Sequence, residues 1–146
     1  PDPINSALSL GYSLLLKDAV AAVQLVGLDP YLGFFHVIEY ARPSLALDVM
    51  EEFRPIVVDS LVLELVKRRR LTPADFVKTG RPERPWEMSD SGMAVMLQGY
   101  EERLQSQVRH PVAGEQVTYR RCLELQVRQV ARLVLGKAER YAPVTM

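Results

Sequence analysis

Residues 44–66 carry the pattern that most limits what this chain can become. Leu45, Leu47, Val49, Met50, Phe53, Ile56, Val57, Leu61, Val62 and Leu65 cover most of the circumference of any helix drawn through them. A helix that is apolar nearly all round has to be wrapped by other elements, because one neighbour cannot bury it. Arg42-Pro43-Ser44 provides a helix start, and the pattern predicts a helix running to about Arg70. The segment from Asn5 repeats the demand: Leu8, Tyr12, Leu15, Ala19, Ala22 and Leu25 recur every three or four positions until Gly27. Asn5-Ser6 is the expected cap, and this helix is expected to be central, with Lys17 and Asp18 at its edge.

The remainder reads as helices and connections, without a convincing strand. Leu28-Asp29-Pro30 is a turn, Tyr31 to His36 a short helix or bend, and Thr72-Pro73-Ala74-Asp75 a second cap-and-proline start. Residues 78–90 hold two prolines, a glycine and several charges, and are expected to form a surface connection. Two further helices are expected: about Ser91 to Val108, with Met93, Leu97, Tyr100 and Leu104 inward, and about Glu115 to Arg140, with Tyr119, Leu123, Val127, Val130 and Val134 inward. The expected fold is therefore all-α, one domain over residues 1–146, a size that buries a core without disulfides or metal.

Inside the second helix, Asp48, Glu51 or Glu52, Pro55 and Asp59 form a narrow acidic stripe at three- and four-residue steps. No basic partner is expected at the helical spacing, and such carboxylates repel one another unless a cation lies between them. Pro55 removes an amide donor and crowds the carbonyl of Glu51, so the helix is expected to depart from regularity there. With His36 arriving from the preceding loop, the stripe suits a hard divalent ion: carboxylate oxygens for Mg²⁺ or Mn²⁺, and an imidazole that favours Mn²⁺. The competing reading is a solvated acidic face with His36 satisfied in its loop, which makes the chain a non-catalytic helical protein-interaction domain.

Other features exclude more than they identify. Eighteen basic and eighteen acidic side chains cancel, so composition supplies no electrostatic argument for nucleic acid. Lys67-Arg68-Arg69-Arg70 falls at a helix C-terminus, where the macrodipole already favours cations, and His110 reads as a turn residue. The single Cys122 lies in a helical pattern and reads as packing, which fits a reducing, cytoplasmic setting. Lys17 and Asp18 interrupt the first apolar stretch short of the roughly 18 uncharged residues of a membrane span, so no membrane association is expected. A glycine-rich phosphate loop, a Ser-His-Asp order and paired Cys-x-x-Cys spacing are all absent from the sequence. The chain opens on Pro-Asp-Pro and enters a strongly patterned helix at once, which is expected of a piece of a longer parent.

Three segments together resemble one family: Asp2 to Tyr12 (DPINSALSLGY), Gly27 to His36 (GLDPYLGFFH) and Arg42 to Pro55 (RPSLALDVMEEFRP). They are similar to the helical C-terminal domain of the CRISPR-associated integrase, the adaptation endonuclease that inserts spacer DNA; the match covers residues 2 to about 66. The resemblance implies a metal held by an upstream glutamate, a histidine placed like His36, and an acid on the next helix. The family pattern of an aspartate followed three residues later by aspartate or glutamate falls on Asp48 and Glu51. It assigns His36 and Glu51 as metal ligands and Asp48 as a supporting catalytic residue. No residue here matches the upstream glutamate or the family's N-terminal β-domain. The implied reaction joins the 3′-hydroxyl of spacer DNA to a CRISPR repeat. The implied partners are that DNA, a second copy in a homodimer, and a small ferredoxin-like CRISPR-associated protein.

Overall fold

The structure, a computed structural model, describes residues 2–27, 44–134, 136–137 and 139–144, apart from the side chains of Ser44 and Val134. The expected bend at Tyr31 to His36 lies outside the described residues. Among the described residues, five α-helices and two small hairpins follow in order: α1 (Ile4–Val26), α2 (Ser44–Phe53), a π-helical segment (Arg54–Asp59), α3 (Ser60–Lys67), a 3₁₀ turn (Pro73–Asp75), β1 (Phe76–Arg81), β2 (Arg84–Met88), α4 (Asp90–Gln105), β3 (Gln107–Arg109), β4 (Gln116–Thr118) and α5 (Tyr119–Val134). The fold is mostly helical, as the patterning requires.

Helix α1 is the centre. Ala7, Leu15, Ala19 and Val23 have no exposed surface, and the helix packs against α2, the π segment, α4 and α5. By length and composition it would pass for a membrane span. Here its flank carries Asp18, which accepts from Tyr100 Oη at 2.6 Å and from Arg120 Nη1 at 3.0 Å. Its start differs from expectation: the helix begins at Ile4, whose amide donates to Asp2 Oδ1 at 2.9 Å, so Asp2 does the work assigned to Asn5-Ser6. Leu25, expected inward, is exposed.

Gly11 marks the closest approach in the core. A Cβ there would lie 2.5 Å from Cγ1 of Val58, so the absence of a side chain lets α1 settle onto the π segment. That segment is how Pro55 is accommodated. The helix is widened over Arg54–Asp59 rather than broken, and the Ser60 amide donates to the Pro55 carbonyl, a five-residue step. The displaced Ile56 carbonyl accepts from Ser60 Oγ at 2.8 Å and from Arg103 Nη1 at 3.2 Å. Arg103 also donates to Glu64 Oε2 at 2.6 Å, which ties α4 to the irregular turn.

The hairpins correct the reading that found no strand. In 76–88, β1 and β2 pair antiparallel from Phe76↔Met88 to Arg81↔Arg84, with an irregularity between Lys78 and Arg81 where Gly80 takes a φ of +76°. The prolines at 82 and 85 sit at and just past its turn, where a missing donor is tolerated. In 107–118, Gln107↔Thr118, Val108↔Val117 and Arg109↔Gln116 pair. This shortens both flanking helices relative to expectation. The inward face of α4 is also rotated: Met96, Tyr100 and Leu104 are buried and Met93 and Leu97 exposed. In α5, Leu123, Val127 and Val130 are buried as expected.

Candidate metal centre on the second helix

Helix α2 presents its three acids to three environments. Asp48 is 8% exposed, Glu52 is half-buried, and the Glu51 side chain is 54% exposed. Asp48 and Glu52 are four residues apart and so share a face, lining a cleft with Leu45, Val49, Val130, Tyr141 and Pro143. Glu51 is turned towards solvent, one turn after Asp48.

Glu52 is consumed by structure. Its Oε1 accepts from Gln126 Nε2 at 2.8 Å and from the amide of Val144, and its Oε2 accepts from the Tyr141 hydroxyl. Burial first, then the hydrogen bond to Glu52, holds the Tyr141 phenol above the ordinary tyrosine range. Gln129 extends the cluster, donating to the Ala142 carbonyl at 3.0 Å and accepting from the Ala142 amide at 2.9 Å. Segment 141–144 is thereby fastened over α2 and α5. His110 joins the same network from the other side. Its Nδ1 accepts from the amides of Val112 and Ala113 at 3.3 and 3.0 Å, which leaves Nε2 to donate to Gln126 Oε1 at 2.8 Å. His110 is thus a buried turn residue with both ring nitrogens engaged.

Glu51 belongs to a second, exposed network. Its Oε1 pairs with Arg54 Nη1 at 3.0 Å. The Arg54 guanidinium lies 4.3 Å above the Tyr12 ring, and the Tyr12 hydroxyl donates to Asp59 Oδ1. The Glu51 hydrogen bond is the main cause of a raised Arg54 pKa, and burial, followed by Asp59, raises that of Tyr12. Asp59, on the expected stripe, therefore serves Tyr12. The acidic stripe therefore does have a basic partner at helical spacing, contrary to expectation: Arg54 lies three residues after Glu51 and pairs with it, and Tyr12, expected to pack inward, is half-buried beneath that pair.

His36 lies outside the described residues. Among the described residues, no group of three His, Cys, Asp or Glu could hold a metal ion. The α2 acids carry hard carboxylate oxygens, the donor type that Mg²⁺ and Mn²⁺ take, but among the described residues they do not complete such a group. Glu51 carries an accessible hard carboxylate, Asp48 lies one turn before it in a nearly buried position, and Glu52 accepts from three donors. The basic run ends α3 on the surface, with Arg68 paired to Glu64 at 3.4 Å and Arg70 to Glu102 at 3.9 Å.

Residues 1–102 match the family model described as CRISPR associated protein Cas1. A CRISPR-associated endonuclease Cas1 of Thermus thermophilus is 43% identical over 143 residues, covering 97% of this chain and 42% of the relative. A Cas4/Cas1 fusion of Geobacter sulfurreducens is 38% identical over 140 residues, covering 96% of this chain and 24% of the relative. Among solved structures, a casposase bound to integration product superposes with a TM-score of 0.82 at 30% identity, over 94% of this chain and 39% of that one. A Cas1 protein from Thermotoga maritima gives 0.80 at 28% identity, over 92% and 41%. The chain spans less than half the length of each of these proteins. By the family match over most of its length and the agreement in fold, the chain belongs to the Cas1 family.

Proposed function

We propose that this chain is the helical, metal-binding part of a DNA integrase and endonuclease that joins the 3′-hydroxyl of spacer DNA to a CRISPR repeat. The observation that carries the reading is the division of labour on α2. One acid is exposed, the next is locked into the fold, and the third stands nearly buried a turn before the exposed one. A chain with this fold in the casposase structure is described as bound to an integration product, which supports the reaction class.

In this reading Glu51 and His36 hold Mg²⁺ or Mn²⁺, together with a glutamate supplied from elsewhere in the parent. The ion, when bound, polarises a phosphoryl oxygen and offsets charge developing on the leaving oxygen. Asp48 orients what Glu51 binds, its nearly buried position limiting its rotamers. The widened turn that begins at Arg54 packs against α1, and Arg103 fixes that turn from α4. Partners in the parent are a second copy, a small ferredoxin-like protein and duplex DNA. A cytoplasmic setting agrees with Cys122, which is buried and unpaired with another cysteine.

The test is strand joining by the full-length parent in Mn²⁺. Glu51→Gln and His36→Ala are expected to lose joining by 10²-fold or more, on the order expected when a catalytic electrostatic element is removed. Near-normal joining by Glu51→Gln, with loss in Asp48→Asn, would transfer the ligand role to Asp48.

A further inference from the structure

Arg54 is held in place twice, and only one of its holds involves Glu51. The guanidinium stacks on Tyr12 at 4.3 Å and donates to Glu51 at 3.0 Å. Tyr12 is itself fixed through its hydroxyl to Asp59. The Arg54 side chain is 36% exposed, so its remaining donors are within reach of a solute. The ion pair with Glu51 is solvent-exposed and of a kind that is readily given up. A carboxylate that turns to a divalent cation also ceases to attract a guanidinium, since the two positive charges repel. The Tyr12 shelf does not depend on Glu51, so Arg54 keeps its position when that pair is lost, with its planar fork of donors released. Next to the acid that would hold the ion, a released fork is suited to the two non-bridging oxygens of a phosphodiester.

We propose that Arg54, shelved on Tyr12, is a DNA-contacting residue that clamps a backbone phosphate beside Glu51, and that its ion pair with Glu51 is the resting arrangement from which the phosphate takes it. This rests on the reading of Glu51 as the metal ligand for the location of the phosphate, while the contact itself requires no metal. It also answers the neutral composition: one cation positioned by stacking provides a local phosphate contact that net charge does not reveal.

The experiment uses the full-length parent, with a fluorescent blunt duplex in EDTA across a NaCl series, and Mn²⁺ calorimetry without DNA. In EDTA, Arg54→Ala is expected to weaken duplex binding several-fold and to reduce the slope of log affinity against log salt by about one unit, the signature of one lost phosphate contact. Arg54→Lys should keep the slope but recover only part of the affinity, because it keeps the charge and loses the fork. Tyr12→Leu should behave like a milder Arg54→Ala. Mn²⁺ affinity should be unchanged or higher in Arg54→Ala, since a competing cation has gone. An unchanged duplex affinity and salt slope in Arg54→Ala would overturn the proposal. So would a loss of Mn²⁺ affinity with normal duplex binding, which would make Arg54 a structural partner of Glu51. Glu51→Gln separates the two claims: Mn²⁺ binding that survives it defeats the metal reading, whereas the EDTA salt series still decides for or against Arg54.

Discussion

Adjacent glutamates on α2 should fail in opposite ways. Glu52 accepts from Gln126 Nε2, the Tyr141 hydroxyl and the Val144 amide, all within a half-buried cluster. Glu52→Gln replaces one accepting oxygen with an amino group that confronts donors. Hydrogen bonds to a charged group are worth about 1.5–3 kcal/mol each, and losses within one network do not add, so a net cost of about 2–4 kcal/mol follows. For a domain of this size that is a fall in Tm of roughly 6–12 °C. Glu51 has only the exposed Arg54 pair to lose, so Glu51→Gln should cost about 0–1 kcal/mol. Thermal and urea melts of both variants, with strand joining measured in the full-length parent, separate the roles. Glu52→Gln should melt early and, well below its Tm, retain much of its joining. Glu51→Gln should melt normally and lose joining by about 10²-fold or more. A Glu52→Gln protein with unchanged Tm, or a Glu51→Gln protein that melts several degrees early, would refute this division.

Three further outcomes follow from the packing. Gly11→Ala should destabilise by about 1–2 kcal/mol in chemical denaturation, because a Cβ 2.5 Å from the stiff Val58 side chain outweighs the helix preference for alanine. Arg103→Ala should cost about 1–3 kcal/mol, since it strips the Ile56 carbonyl and Glu64 of a shared partner, and amide hydrogen exchange should show the π segment opening more readily. Burial, reinforced by Glu52, pushes the Cys122 thiol up to about 12, and the unfolded thiol titrates near 9.0. The folded state therefore keeps a proton that the unfolded state releases, and stability present below pH 9 is lost progressively as pH rises towards 12. Melts from pH 8 to 11 should show this decline, shallower in Cys122→Ala. Thiol reagents at pH 8 should modify Cys122 only after unfolding.

The helices were legible because their apolar periodicity is strong. The pairing of α1 with the 44–66 segment followed from two helices that were each too apolar to remain uncovered. The hairpins were not legible, because Val77, Trp86 and Val117 lie among prolines and charges in runs too short to establish a two-residue alternation. The acidic stripe could be read as a stripe, but not the rotation that buries Asp48, exposes Glu51 and knots Glu52. That rotation depends on Gln126, Tyr141 and Val144, which are 74 to 92 residues away. Pro55 signalled an irregularity, whereas the form it takes depends on Arg103 reaching Ile56 across 47 residues. His110 was placed correctly in a turn, and its burial against Gln126 had no local signal.

If the proposed function is right, Glu51 and His36 hold the divalent ion. Anomalous diffraction at the manganese edge from Mn²⁺-soaked crystals of the full-length parent tests it most directly. A single strong peak is expected within about 2.0–2.6 Å of a Glu51 carboxylate oxygen and adjacent to the His36 ring. A peak bound to Asp48 without Glu51, or no peak near α2 at saturating Mn²⁺, would contradict it.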